Sequence, residues 1–283
     1  MIEKYTFEGE KKGVKLLVFA AIHGNETAGT NAIRRLLKEF EAGKIKLCSG
    51  CLTLVPVCNA QAYAKDVRQI DENLNRVIKI FEEPKTYEQG LANELCPLIK
   101  KHDVLLDLHS THCEGDVPFA FCDYPDENNQ KLIAGLDVGY VLEGWPQIYA
   151  GNCEIEDFST ERAAHDFGKT ATTLECGYHK SVEAIEIAYN AIINMLAGFE
   201  MIEKEKPAER PKTHILMQGY VVKKKEGKLC KNYKHLDKIK AGETIARYDN
   251  GEVLTAPNDG FILLPNLRAE IGAEWYYFGI EKS

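Results

Sequence analysis

Val14-Lys-Leu-Leu-Val-Phe-Ala-Ala-Ile22-His23-Gly-Asn-Glu26-Thr27 is an apolar run broken by a single lysine, which stops at a histidine, a glycine and polar residues. A run of this kind marks a strand covered on both faces, as in a parallel sheet. Thr27–Glu41 then repeats apolar residues at helical spacing through Ala28, Ala32, Ile33, Leu36 and Leu37. Strand followed by helix is the opening unit of an α/β domain. The same alternation continues downstream: Cys51–Val57, Val104–Leu108 and Ala171–Glu175 read as strands, and Tyr87–Lys100, Asn128–Leu136 and Val182–Gly198 as helices.

The pattern changes after residue 205. Ile215–Lys223, Thr244–Tyr248, Val253–Ala256, Gly260–Leu264 and Trp275–Ile280 are short strand candidates separated by Gly, Asn and Asp turn signals. Lys204-Glu-Lys-Pro-Ala-Glu-Arg-Pro211 sets two prolines among charges, which suits an exposed connector. The expected organisation is an α/β domain over 1–205 and a small all-β, barrel-like domain over 206–283. The second part carries 14 Lys+Arg and 10 Asp+Glu and the first 21 and 33, so a net charge of −8 resolves into −12 and +4.

Composition bounds what the chain does. With 283 residues, 45% of them hydrophobic and 28% charged, it can bury a full-sized core. Its apolar runs fall far short of the roughly 20 residues that span a bilayer. Met1-Ile2-Glu3-Lys4 lacks the basic and apolar regions of a secretory leader, so the expectation is a cytoplasmic protein with no membrane association. Nine scattered cysteines fit reduced thiols. Cys48-Ser-Gly-Cys51 has no partner pair and reads as two ordinary thiols. The lysine-rich stretch from Lys223 to Lys240 comes without a nucleic-acid motif in an acidic chain, so it reads as a solvated face. Lys240-Ala-Gly-Glu and Thr255-Ala-Pro-Asn-Asp-Gly260 resemble the turns of a biotinyl or lipoyl carrier barrel. The exposed lysine hairpin of a carrier is missing, so only the barrel geometry is expected.

Chemistry concentrates at the ends of the predicted strands, where open α/β sheets bind ligands. His23 and Glu26 stand three residues apart at a strand-to-helix transition, a spacing that can aim both side chains at one point. Imidazole nitrogen and carboxylate oxygen are zinc ligands, and a catalytic zinc needs three protein ligands with a position left for water. His109, in Asp107-Leu-His109-Ser-Thr111 at the end of another buried strand, is the candidate third. His112, three residues on, is the rival and is expected in the loop, either supporting a ligand from behind or facing solvent. Asp107 is two residues before His109, on the same strand face, and can accept a hydrogen bond from the imidazole. Arg68-Gln-Ile-Asp-Glu-Asn73-Leu-Asn75-Arg76 offers two guanidiniums and several amides for holding carboxylates or a carbonyl oxygen. Glu175, in Leu174-Glu-Cys-Gly177, ends a third strand and could move a proton between water and a leaving amine.

Together these segments resemble the succinylglutamate desuccinylase and aspartoacylase family of zinc carboxypeptidase-like hydrolases. The matching elements are His23-Gly-Asn-Glu26, Arg68…Asn75-Arg76, Asp107-Leu-His109 and Leu174-Glu175-Cys-Gly177, in the family's order. The resemblance implies a carboxypeptidase-like mixed sheet flanked by helices, followed by a small β domain. It implies one zinc ion per chain on His23, Glu26 and His109, water activated by Glu175, and a carbonyl polarised by Arg68. Substrate carboxylates would be held by Asn75 and Arg76. The family's further substrate arginine corresponds best to Arg162, thirteen residues before Glu175, where the spacing departs from the pattern. Glu274-Trp-Tyr276-Tyr277 resembles the stretch that brings a second-domain tyrosine to the pocket. The function expected is hydrolysis of a small anionic N-acyl amino acid. Two alternatives stand beside it: a zinc carboxypeptidase acting on peptide or cell-wall peptide, and a metal-free binding module on the same fold. Assembly into a homo-oligomer is left open.

Overall fold

The computed structural model describes residues 2–150, 158–206 and 208–282. They form two compact units, one from the described residues of 1–141 and 154–212 and one from those of 142–153 and 213–283. The elements of the first unit begin with β1 (Tyr5–Glu8), β2 (Lys11–Ala20), α1 (Ala28–Glu41), β3 (Ser49–Val55), α2 (Ala60–Ala64), α3 (Tyr87–Lys101), β4 (Val104–Thr111), β5 (Phe119–Phe121) and α4 (Glu127–Gly135). The chain then passes through β6 (Tyr140–Glu143) and α5 (Trp145–Tyr149), and returns with α6 (Thr160–Asp166), β7 (Thr170–Tyr178) and α7 (Val182–Gly198). The connector expected at Lys204–Pro211 holds no regular element among its described residues; Pro207 lies outside them.

The sheet of the first unit is mixed. β2 lies parallel between β3 and β4, β7 is parallel to β4, and the short β1 and β5 run antiparallel to β3 and β7. Strand period two divides the buried run between two cores. Leu16, Val18 and Ala20 pack with α1, α4 and α7, while Leu17 and Phe19 pack with α3 and α6. Each such Leu or Phe removed from water contributes roughly 1.5–3 kcal/mol, which is why an uninterrupted apolar strand needs cover on both sides. The same parity puts Asp107 and His109 on the α3/α6 side with Leu105, and Glu175 there with Ala171.

In the second unit β8 (Thr213–Val222), β14 (Glu274–Glu281), β13 (Gly260–Leu263) and β10 (Asp237–Ile239) pair antiparallel in that order. A three-stranded antiparallel sheet is made by β9 (Gly227–Leu229), β11 (Thr244–Tyr248) and β12 (Val253–Thr255). Its core gathers Tyr233, Ile245, Tyr248, Ile262, Trp275 and Tyr276. α5 belongs here as well: Trp145 and Tyr149 stack on Tyr277 and Tyr220 with centroids 5.2 and 5.0 Å apart. No helix among the described residues is long and apolar enough to cross a membrane.

Candidate metal centre

β2 ends at Ala20, and the buried Ala21 turns the chain with a φ of 51°. A non-glycine residue in this region stores about 1–3 kcal/mol and is most often found beside functional groups. Gly24 follows His23 because backbone crowds it: a Cβ there would lie 2.1 Å from the carbonyl carbon of Ala62 in α2. Its N–H donates to the Arg68 carbonyl at 3.1 Å, tying the two motifs together.

His23, Glu26 and His109 converge, all three buried, with potential ligand atoms within 4.8 Å of one another. Glu26 Oε1 faces His23 Nδ1 at 2.8 Å and accepts from Arg68 Nη1 at 2.9 Å. Its Oε2 faces His109 Nδ1 at 2.9 Å and accepts from the Ser110 N–H at 3.1 Å. On their far sides the rings meet acceptors: His23 Nε2 meets Asn73 Oδ1 at 2.9 Å, and His109 Nε2 meets Asp107 Oδ2 at 3.0 Å. An imidazole anchored through one nitrogen, with the other turned to a shared point, is the arrangement of a metal ligand. Two nitrogens and a carboxylate, buried and convergent, therefore fit a zinc ion by donor type and number. His112 is exposed just past β4, outside this group.

Charge at the cluster is strongly redistributed. Burial alone would raise Glu26, but the two imidazoles overcome it and hold the carboxyl well below its usual range. Burial would lower His109, yet Asp107 and Glu26 hold it well above an ordinary histidine. His23 is lowered to about 4 by burial, with the Arg68 cation adding to the effect. Glu175 pairs in register with His109 across β4 and β7. Burial and the Glu26 charge push it up to about 8, and its Oε2 is buried with no hydrogen-bond partner among the described residues. A carboxyl held near neutrality beside a cation site is suited to exchanging protons.

The Arg68–Arg76 segment is fastened to α3 by one carboxylate. Glu88, fully buried in the first turn of that helix, accepts from the N–H groups of Ile70, Asp71 and Glu72 and from Asn59 Nδ2. Asn73 then caps a 3-10 turn over Leu74–Arg76, its Oδ1 accepting from the Asn75 N–H as well as meeting His23. Asn75 Oδ1 accepts from the Thr160 N–H at 3.0 Å, and the Thr160 hydroxyl donates to Asp107 Oδ2 at 2.6 Å. Arg76 Nη1 donates to the Asn75 carbonyl. The structure thus brings together His23, Glu26, His109, Glu175 and Arg68, with Asn75 joined to them through Thr160.

The other expected substrate residues make contacts within their own units. Arg162 Nε donates to both carboxylate oxygens of Asp166 on its own short helix, at 2.9 Å each. Its neighbour Glu161 is the buried one, raised to about 7 by burial while accepting from the Thr173 and Asp123 N–H groups. Tyr276 is in the core of the second unit, and Tyr277 bonds through its hydroxyl to that of Tyr149 at 2.5 Å. Glu88, Asn73 and Thr160 were not singled out from sequence. For Asn73 a signal existed, its place inside an unusually polar segment.

The α/β sheet thus carries at its strand ends a His-Glu-His cluster that could hold a metal ion, with Glu175 in register beside it. The model of the succinylglutamate desuccinylase/aspartoacylase catalytic domain matches residues 12–199, and the chain belongs to that family. Among relatives, the succinylglutamate desuccinylase of Vibrio cholerae serotype O1 is 22% identical over 278 residues, covering 91% of this chain and 78% of that protein. That of Pseudomonas aeruginosa is 34% identical over an 82-residue stretch, 29% of this chain and 23% of its own. The solved succinylglutamate desuccinylase of Vibrio parahaemolyticus superimposes with a TM-score of 0.76 at 18% identity, over 100% of this chain and 92% of that one. The product-bound ectoine utilization protein EutE (DoeB) of Ruegeria pomeroyi gives 0.77 at 21% identity, over 99% and 89%. At these identities the structural likenesses speak for a shared mixed α/β fold.

Proposed function

We propose that the protein is a zinc-dependent deacylase that hydrolyses the amide bond of a small anionic N-acyl amino acid, releasing a carboxylate and a free amine. The observation that carries this reading is the convergence of His23, Glu26 and His109, with Glu175 in register beside His109. Names among the relatives support the substrate class, since several are succinylglutamate desuccinylases. His23 Nδ1, His109 Nδ1 and the Glu26 carboxylate would hold the ion, which when bound supplies Lewis acidity and acidifies water.

Glu175 takes a proton from the attacking water and returns it to the departing nitrogen, the work for which its raised affinity for protons suits it. Arg68, half exposed and within hydrogen-bond reach of Glu26, holds the oxygen on which negative charge develops. Asn75 and Arg76 orient the substrate carboxylate; Arg76 contributes a guanidinium suited to bidentate binding. Arg162, Tyr276 and Tyr277 enter the proposal from the family resemblance.

Release of free amine from a panel of N-succinyl and N-acetyl amino acids, set beside short peptides, tests the reading. Excess chelator should abolish release and added zinc restore it. Glu175→Ala should lower kcat by about 10²–10⁴, the usual worth of a positioned proton-transfer group. Turnover that survives both changes overturns the mechanism, and cleavage of peptides alone overturns the substrate class.

A further inference from the structure

We infer that Thr160 is a positioning residue that fixes the imidazole of His109 as a metal ligand and joins it to the Asn75 end of the arginine-bearing segment. The inference rests on the metal site proposed above. Thr160 is fully buried at the first position of α6 and serves two partners at once. Its hydroxyl donates to Asp107 Oδ2 at 2.6 Å, the same oxygen that meets His109 Nε2 at 3.0 Å. Its backbone N–H donates to Asn75 Oδ1 at 3.0 Å.

Asp107 is also fully buried, and its other oxygen, Oδ1, has no hydrogen-bond partner among the described residues. The hydrogen bonds of this carboxylate therefore fall on one oxygen, from Thr160 and from the ring. A carboxylate can rotate about its terminal torsion with little intrinsic resistance. The threonine hydroxyl supplies the direction that the single ring contact cannot. Without it the acceptor behind His109 can swing, and Nδ1 on the opposite side of the ring loses its aim at the point shared with Glu26 and His23. The backbone bond to Asn75 makes the same residue a strut: a shift of the Leu74–Arg76 turn is transmitted to Asp107 through one rigid, β-branched side chain.

Zinc affinity of the purified full chain, measured by competition against a chromophoric chelator, tests this without reference to turnover. Thr160→Val keeps the shape and removes the hydroxyl, and should weaken zinc binding about 10- to 100-fold, the usual effect of losing a partner behind a metal ligand. Thr160→Ser should restore binding to near the wild-type value. Asp107→Asn should weaken binding by itself, and the double variant Thr160→Val/Asp107→Asn should be no weaker than the worse single one, because both act through one bond. Thr160→Ala takes the place of the valine variant if that one does not fold. Unchanged affinity in the valine or alanine variant, or losses that simply multiply in the double variant, overturns the role of Thr160. Failure of the wild-type chain to bind zinc overturns the metal reading instead.

Discussion

Glu26 and Glu175 lie beside the same histidine, yet they hold their protons oppositely. Glu26 is buried and Glu175 half-buried with its Oε2 shielded, and shielding from water favours the neutral carboxyl. Glu26 accepts from or faces four nitrogen groups and is driven well below the ordinary range, whereas Glu175, with one oxygen unpartnered, rises to about 8. The consequence appears in stability. In metal-free protein the native state keeps the Glu175 proton from the unfolded value near 4.5 up to about pH 8. Over that window the native state binds more protons than the unfolded one, so the contribution of Glu175, complete below pH 4.5, is lost as pH rises. Wild-type stability should therefore fall against Glu175→Gln by up to about 1.4 kcal/mol per pH unit between about pH 5 and 8. Parallel denaturation curves for the two proteins across that range would refute the assignment. At this scale residue type and spacing foretold a grouping: His23, Glu26 and His109 converge, and Glu175 stands in register beside His109. Thr160 was not foretold, because a threonine at the start of a seven-residue helix looks like any other, and its meaning comes from Asp107, 53 residues earlier.

Among elements, α3 does the most to prepare the site, although it contributes no ligand. The N–H groups of Ile70, Asp71 and Glu72, in a half-buried segment, all find their acceptor in the buried Glu88 of one helical turn. Removing that carboxylate strands several donors, each costing about 1–3 kcal/mol if left unsatisfied. Glu88→Ala should destabilise the protein by about 3 kcal/mol, read as a lower urea midpoint with unchanged slope. It should also reduce kcat, because the segment carries Arg68 and Asn73. A loss below about 1 kcal/mol would show that water or a neighbouring group replaces the carboxylate. The long elements were readable in advance because apolar periodicity over ten or more residues records which faces are covered. β1, β5, β6, α2, α5 and α6 are three to seven residues long. Segments of that length carry too few periods to register by themselves; β11, β12 and β13, equally short, were legible only through the Gly, Asn and Asp turn signals around them.

For the molecule as a whole, the charge division near residue 205 pointed to two parts but not to the path between them. Composition averages over a window and cannot reveal that α5, within the longer part of the sequence, packs on strands that follow residue 212. A fragment ending at Lys212 would bear Trp145 and Tyr149 without Tyr220 and Tyr277. Such a fragment should be less soluble than the full chain and should gain solubility from Trp145→Ser/Tyr149→Ser; a soluble, cooperatively unfolding fragment with native Trp145 would contradict this. The discontinuity also has a meaning in time. During synthesis, α5 leaves the ribosome more than sixty residues before β8 begins. At roughly 5–20 residues per second this is a wait of about 3–13 seconds. Tyr149 remains without Tyr220 for at least that interval, and Trp145 without Tyr277 for about twice as long. The second unit can close only after the first has been made, which orders the birth of the protein from its amino end.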